Sequence, residues 1–69
     1  MEKLKEIRNK HGYTYAKMAE LLNISKPFYW QIENNKRRLS YEMAYRISQI
    51  LKTTPDKIFL DEFKNKNQG

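Results

Sequence analysis

The chain has 69 residues, no cysteine and one histidine, which makes it one domain near the lower size limit for a core without staples. Disulfides, thiolate metal sites and a metal site built on His11 alone are excluded. A formal charge of +6 and a pI of about 9.7 suggest a polyanionic partner, although charge alone does not separate a nucleic-acid binder from any small basic protein.

Met1-Glu2-Lys3 leads straight into an amphipathic pattern rather than a signal peptide, and no apolar run approaches the ~18 residues of a membrane span. The expected location is the cytoplasm. Apolar residues recur at helical spacing and period-two alternation is scarce, so the chain reads as all-α with five short helices. Helix 1 is expected over Glu2 to Lys10, with Leu4 and Ile7 inward and Gly12 as the left-handed stop. Helix 2 runs from Tyr15 to Leu22 behind a Thr14 cap and buries Met18, Ala19 and Leu22. Asn23-Ile24-Ser25 is a three-residue break in which Asn tolerates positive φ and Ser25 caps the next helix.

Helix 3 is expected over Lys26 to Asn34, with Pro27 tolerated in the first turn, where its missing N–H has no helical partner. Ser40 caps helix 4, Tyr41 to Leu51, which turns Ala44, Ile47 and Leu51 inward while Tyr41 and Tyr45 cover the edge of the core. Thr54-Pro55 opens helix 5, to Phe63, with Ile58 and Phe59 inward. Residues 1–63 form the domain, and 64–69 are a polar, disordered tail.

Helix 2, a short turn and helix 3 have the spacing of a helix-turn-helix, in which the first helix crosses the DNA backbone and the second enters the major groove. Tyr29 and Ile32 face the core. Pro27, Trp30, Gln31 and Asn34 fall at i, i+3, i+4 and i+7, one stripe on the other side. Such a stripe suits base edges: Gln can pair with adenine, Lys with guanine, and an apolar group can touch a thymine methyl. Lys26, Lys36, Arg37 and Arg38 set four positive charges against Glu33, enough to hold phosphates together with the N-terminal amides of helices 2 and 3. A solvated turn is the bland alternative for Lys36-Arg37-Arg38, and its place directly after a recognition-type helix favours phosphate.

Thr14 through Ser40, with Asn23-Ile24-Ser25 and Ile32-Glu33-Asn34-Asn35-Lys36-Arg37, resembles the Cro and phage-repressor (lambda-repressor-like) helix-turn-helix family. The resemblance reaches back to helix 1 and on to Phe59, so it covers nearly the whole chain. It implies a five-helix fold and a sequence-specific, double-stranded-DNA-binding transcriptional regulator, a repressor; the lysine- and asparagine-rich composition suggests a bacterial, phage or mobile-element source. It implies base contacts from Lys26, Pro27 and Gln31, with Phe28 or Trp30 adding apolar contact, and phosphate contacts from Asn34 and Lys36. Arg37, Arg38 and Tyr15 join the phosphate set. The family also implies an ion pair between Arg8 and Glu33, and a two-fold interface at the last helix, here Leu60 and Phe63, so a homodimer on a palindromic operator is expected.

The chain departs from the family pattern in places. Tyr15 stands where a glutamine usually reaches a phosphate and helps orient a base reader. Asn23 and Asn35 replace glycines compatibly, whereas Lys52 replaces the glycine after helix 4 and implies a strained or differently built loop. Pro27 replaces a polar reader, which shifts readout toward shape and van der Waals contact. No nucleophile–base constellation suggests an enzyme, and no cofactor, metal or small-molecule ligand is implied. The competing reading is a protein-interaction or antitoxin-type module, for which Phe28-Tyr29-Trp30 would suit an aromatic interface.

Overall fold

Three of the helices begin where a hydroxyl side chain takes over an otherwise orphaned backbone N–H. Thr14 accepts from the Lys17 amide at 3.0 Å, Ser25 from Phe28 at 3.1 Å and Ser40 from Met43 at 3.1 Å. The computed structural model describes residues 1–60. It contains α1 (Glu2–Lys10), α2 (Tyr15–Leu22), α3 (Lys26–Glu33), α4 (Tyr41–Ile50) and α5, which occupies residues 55–60. Helices are the regular secondary structure of the described residues, which contain no strand. Asn34 and Leu51 are caps one residue beyond α3 and α4, rather than their last helical residues.

The exits of α1 to α4 share one device. Gly12, Asn23, Asn35 and Lys52 all adopt left-handed φ, at 73°, 59°, 59° and 58°. In each case the next residue donates its amide to the carbonyl five positions back: Tyr13 to Arg8 at 3.2 Å, Ile24 to Ala19 at 3.0 Å, Lys36 to Gln31 at 2.8 Å and Thr53 to Ser48 at 2.9 Å. This bond satisfies a carbonyl at the helix end and turns the chain sharply. Lys52 therefore adopts the glycine-type turn despite its side chain, so the α4–α5 loop is built as in the other exits.

The core takes Leu4 from α1, Met18, Ala19 and Leu22 from α2, Tyr29 and Ile32 from α3, Ala44 and Ile47 from α4, and Ile58 and Phe59 from α5. Leu51 and, unexpectedly, Leu39 close it from the connections. Ile7 is only partly buried. Tyr41 and Tyr45 lie outside the core, 66% and 48% exposed. Ala44, Ile47 and Ser48 define the buried side of α4. Tyr45 sits on its flank, about 100° round the helix from Ala44, whereas Tyr41 shares the side of Ala44 and Ser48 but is the first residue of the helix, where it projects past the core. α2 packs on both α3 and α4. Arg46 strengthens the second contact by donating Nη2 to the Leu22 carbonyl at 2.6 Å.

Candidate nucleic-acid interface

α3 is too short to hold its own shape in water, so its neighbours must fix it. Tyr29, Ile32 and Glu33 are buried. The buried Glu33 carboxylate is satisfied on both oxygens: Arg8 Nε donates to Oε1 at 2.8 Å and Arg8 Nη2 to Oε2 at 2.9 Å. The Tyr29 hydroxyl adds a bond to Oε1 at 2.8 Å, and Arg8 Nη1 donates to the Tyr13 carbonyl at 2.7 Å. The guanidinium also lies 4.4 Å from the centre of the Tyr15 ring, which is tilted against Tyr29 at 6.1 Å.

One network thus ties α1, the start of α2 and the end of α3. The amino group of Met1 adds to it by donating to the Glu33 carbonyl at 2.6 Å. The hydrogen bond to Glu33 outweighs burial and raises the Arg8 pKa. Burial, then the bond to Glu33, pushes the Tyr29 hydroxyl well above the ordinary tyrosine value. Both groups are therefore donors throughout the neutral range.

With that face fixed inward, the other face is open. Lys26, Pro27, Trp30 and Asn34 are exposed, Trp30 at 42%, while Phe28 and Gln31 are half-buried. The stripe of Pro27, Trp30, Gln31 and Asn34 thus borders solvent. Asn34 turns its amide back on α3, with Nδ2 donating to the Trp30 carbonyl at 2.9 Å.

The loop after α3 exposes Lys36, Arg37 and Arg38. Arg37 folds back: its guanidinium carbon lies 4.4 Å from the Phe28 ring centre and its Nε donates to Gln31 Oε1 at 3.1 Å. The structure therefore brings Arg8 to Glu33, Tyr15 to Arg8, and Arg37 to Phe28 and Gln31. Leu60 is 49% exposed, and Phe63 lies outside the described residues, as does the 64–69 tail.

Sequence reasoning missed three parts of this site. The Tyr29–Glu33 bond had a signal, since the two residues are four apart on α3. The stacking of Arg8 on Tyr15 and the return of Arg37 depend on packing between separate elements and left no such trace. No group of three or more His, Cys, Asp and Glu among the described residues could hold a metal, and no described helix is long and apolar enough to cross a membrane.

Residues 4–58 match the helix-turn-helix family profile of the Cro/C1 type. The chain belongs to this family. α2 and α3 are its helix-turn-helix pair, joined by the Asn23 turn. Similar over 49 residues, at 37% identity, is a protein of Thermococcus gammatolerans named "Putative HTH-type transcriptional regulatory protein". Proteins of the same description in Pyrococcus furiosus and Thermococcus kodakarensis are each 33% identical over 49 residues. The match covers 71% of this chain in all three, but only 16%, 16% and 15% of those longer archaeal proteins. No solved structure matches the chain.

Proposed function

We propose that this helix-turn-helix domain binds double-stranded DNA sequence-specifically, with α3 in the major groove, and regulates transcription as a repressor. The observation that carries the reading is the division of α3. Its inner face is locked by the Arg8–Glu33–Tyr29 network, and its outer face presents Lys26, Pro27, Trp30 and Gln31 beside a basic loop. A rigid helix with an outward reading face is what base recognition requires. The naming of these relatives as transcriptional regulatory proteins supports the same reading.

In this arrangement Lys36 and Arg38 hold phosphates, and the Tyr15 hydroxyl and Asn34 are further candidates at the edge of the groove. Lys26, Pro27, Phe28, Trp30 and Gln31 face the bases. The domain acts as a homodimer on a palindromic operator, through the last helix at Leu60 and Phe63. It needs no metal or cofactor and no catalytic step. The bacterial, phage or mobile-element source expected from composition stands beside relatives that are archaeal.

Selection of sites from a random double-stranded DNA pool, at low and at physiological salt, tests the reading. Enrichment of one palindrome at both salts is expected. Binding that vanishes with salt and leaves no motif overturns it in favour of the protein-interaction module, because phosphate contact weakens steeply with salt and aromatic burial does not. Sedimentation that shows only monomer, with and without the palindrome, removes the dimer.

A further inference from the structure

We propose that Arg37 is a positioning residue that holds the Gln31 amide with Nε2 outward, so that the two side chains present mainly donors to the groove and select guanine over adenine at the base pair facing Gln31. The inference rests on the DNA reading above and deepens it.

Arg37 reaches Gln31 because the chain turns back at Asn35, whose φ is 59°, and because the Lys36 amide is tied to the Gln31 carbonyl at 2.8 Å. The guanidinium is then held over the Phe28 ring at 4.4 Å while Nε donates to Gln31 Oε1 at 3.1 Å. An arginine has five donors and no acceptor, so only the carbonyl end of the glutamine can face it. The amide orientation follows from this chemistry, and Nε2 is left as the outward end.

A glutamine reads adenine by accepting from N6 and donating to N7. Here Oε1 is already engaged by a cation. Its second lone pair remains, but the adjacent guanidinium disfavours the approach of another electropositive N–H edge. Guanine presents two acceptors in the major groove, O6 and N7. They match Gln31 Nε2 and the terminal nitrogens of Arg37. Lysine at position 37 would keep the charge and lose the planar fork that both stacks on Phe28 and bonds Gln31.

The test is site selection from a random duplex pool with the full chain and with Gln31→Ala, Arg37→Ala and Arg37→Lys. Each variant is first shown to fold by far-UV circular dichroism. Gln31→Ala identifies the base pair by relaxing it. At that pair the parent is expected to favour guanine over adenine by about tenfold, the order of one good bidentate contact. Both Arg37 variants are expected to shift the preference toward adenine there and to leave the other positions unchanged.

An adenine preference in the parent overturns the proposal. So does an unchanged motif in both Arg37 variants, with Arg37→Ala weaker on every sequence, which would make Arg37 a phosphate contact only. Absence of any motif from the parent is a different failure, since it defeats the DNA reading itself.

Discussion

Glu33 concentrates more interactions than any other polar side chain of α3. It accepts from Arg8 twice and from Tyr29 once, in a site closed to solvent. A buried ion pair is a weak source of net stability, yet removing one partner leaves the other charge desolvated. Glu33→Ala should therefore cost about 3 kcal/mol or more, a fall in Tm of at least about 10 °C for a domain this small. Thermal unfolding at the parent temperature would dismiss the clamp. The double variant Arg8→Met/Glu33→Leu should recover part of the loss, and only part, because Tyr29 and the Tyr13 carbonyl then lose their partners.

Tyr29 supplies a pH signature of the same network. Its hydroxyl pKa is raised in the folded state, by burial first and by Glu33 second. Below the ordinary tyrosine value of 10.0 both states keep the proton and the contribution is complete. Above it the unfolded chain loses the proton first, so stability falls as pH rises, by up to about 1.4 kcal/mol per pH unit from this group. Urea titrations between about pH 9 and pH 11 should show a shallower decline in Tyr29→Phe than in the parent, and equal slopes would contradict this account. The same variant should cost about 1 kcal/mol at neutral pH for the lost hydrogen bond.

At the scale of elements, the helices owe their lengths to their ends. Ser25 starts α3 by accepting from Phe28, and Asn35 stops it by turning left-handed. Ser25→Ala should cost about 1 kcal/mol, as an N-cap loss does. Lys52 is the exit where the backbone works against its side chain, since an L residue carries about 1–2 kcal/mol of strain in the left-handed region. Lys52→Gly should therefore stabilise the domain, by up to about 1 kcal/mol after the entropy that glycine restores to the unfolded chain. A chemical denaturation midpoint unchanged or lowered in that variant would count against strain at this turn.

For the whole molecule, size and charge set the terms of recognition. α3 has eight residues, about 12 Å of helix, which reaches only a few base pairs. Two copies on half-sites about 34 Å apart would multiply that readout, which is why a dimer matters to the proposed function. Lys26, Lys36, Arg37 and Arg38 gather much of the +6 charge at this end of the molecule. If Lys36 and Arg38 each neutralise one phosphate per copy, log K should fall with log salt at a slope of roughly −2 per copy. Lys36→Gln should reduce that slope by about 1 without changing the preferred sequence, and an unchanged slope would place Lys36 away from phosphate.

Local chemistry determined the helices and their ends, because capping hydroxyls, left-handed residues and apolar periodicity act within a few residues of chain. Thr14, Ser25 and Ser40 do what their types predict, as do Gly12, Asn23 and Asn35. The division of α3 into a buried and an open face was legible for the same reason, since a 3.6-residue period separates Tyr29 and Ile32 from Pro27, Trp30 and Gln31. The family resemblance, rather than periodicity, pointed to Arg8 and Glu33. Only the tertiary structure decided the rest. It placed Leu39 inside and Tyr41 and Tyr45 outside, set Tyr15 under the Arg8 guanidinium, and folded Arg37 over Phe28 onto Gln31. These outcomes depend on how separate elements meet, and a long side chain goes where the neighbouring element offers a ring or an acceptor, a choice its own local sequence does not encode.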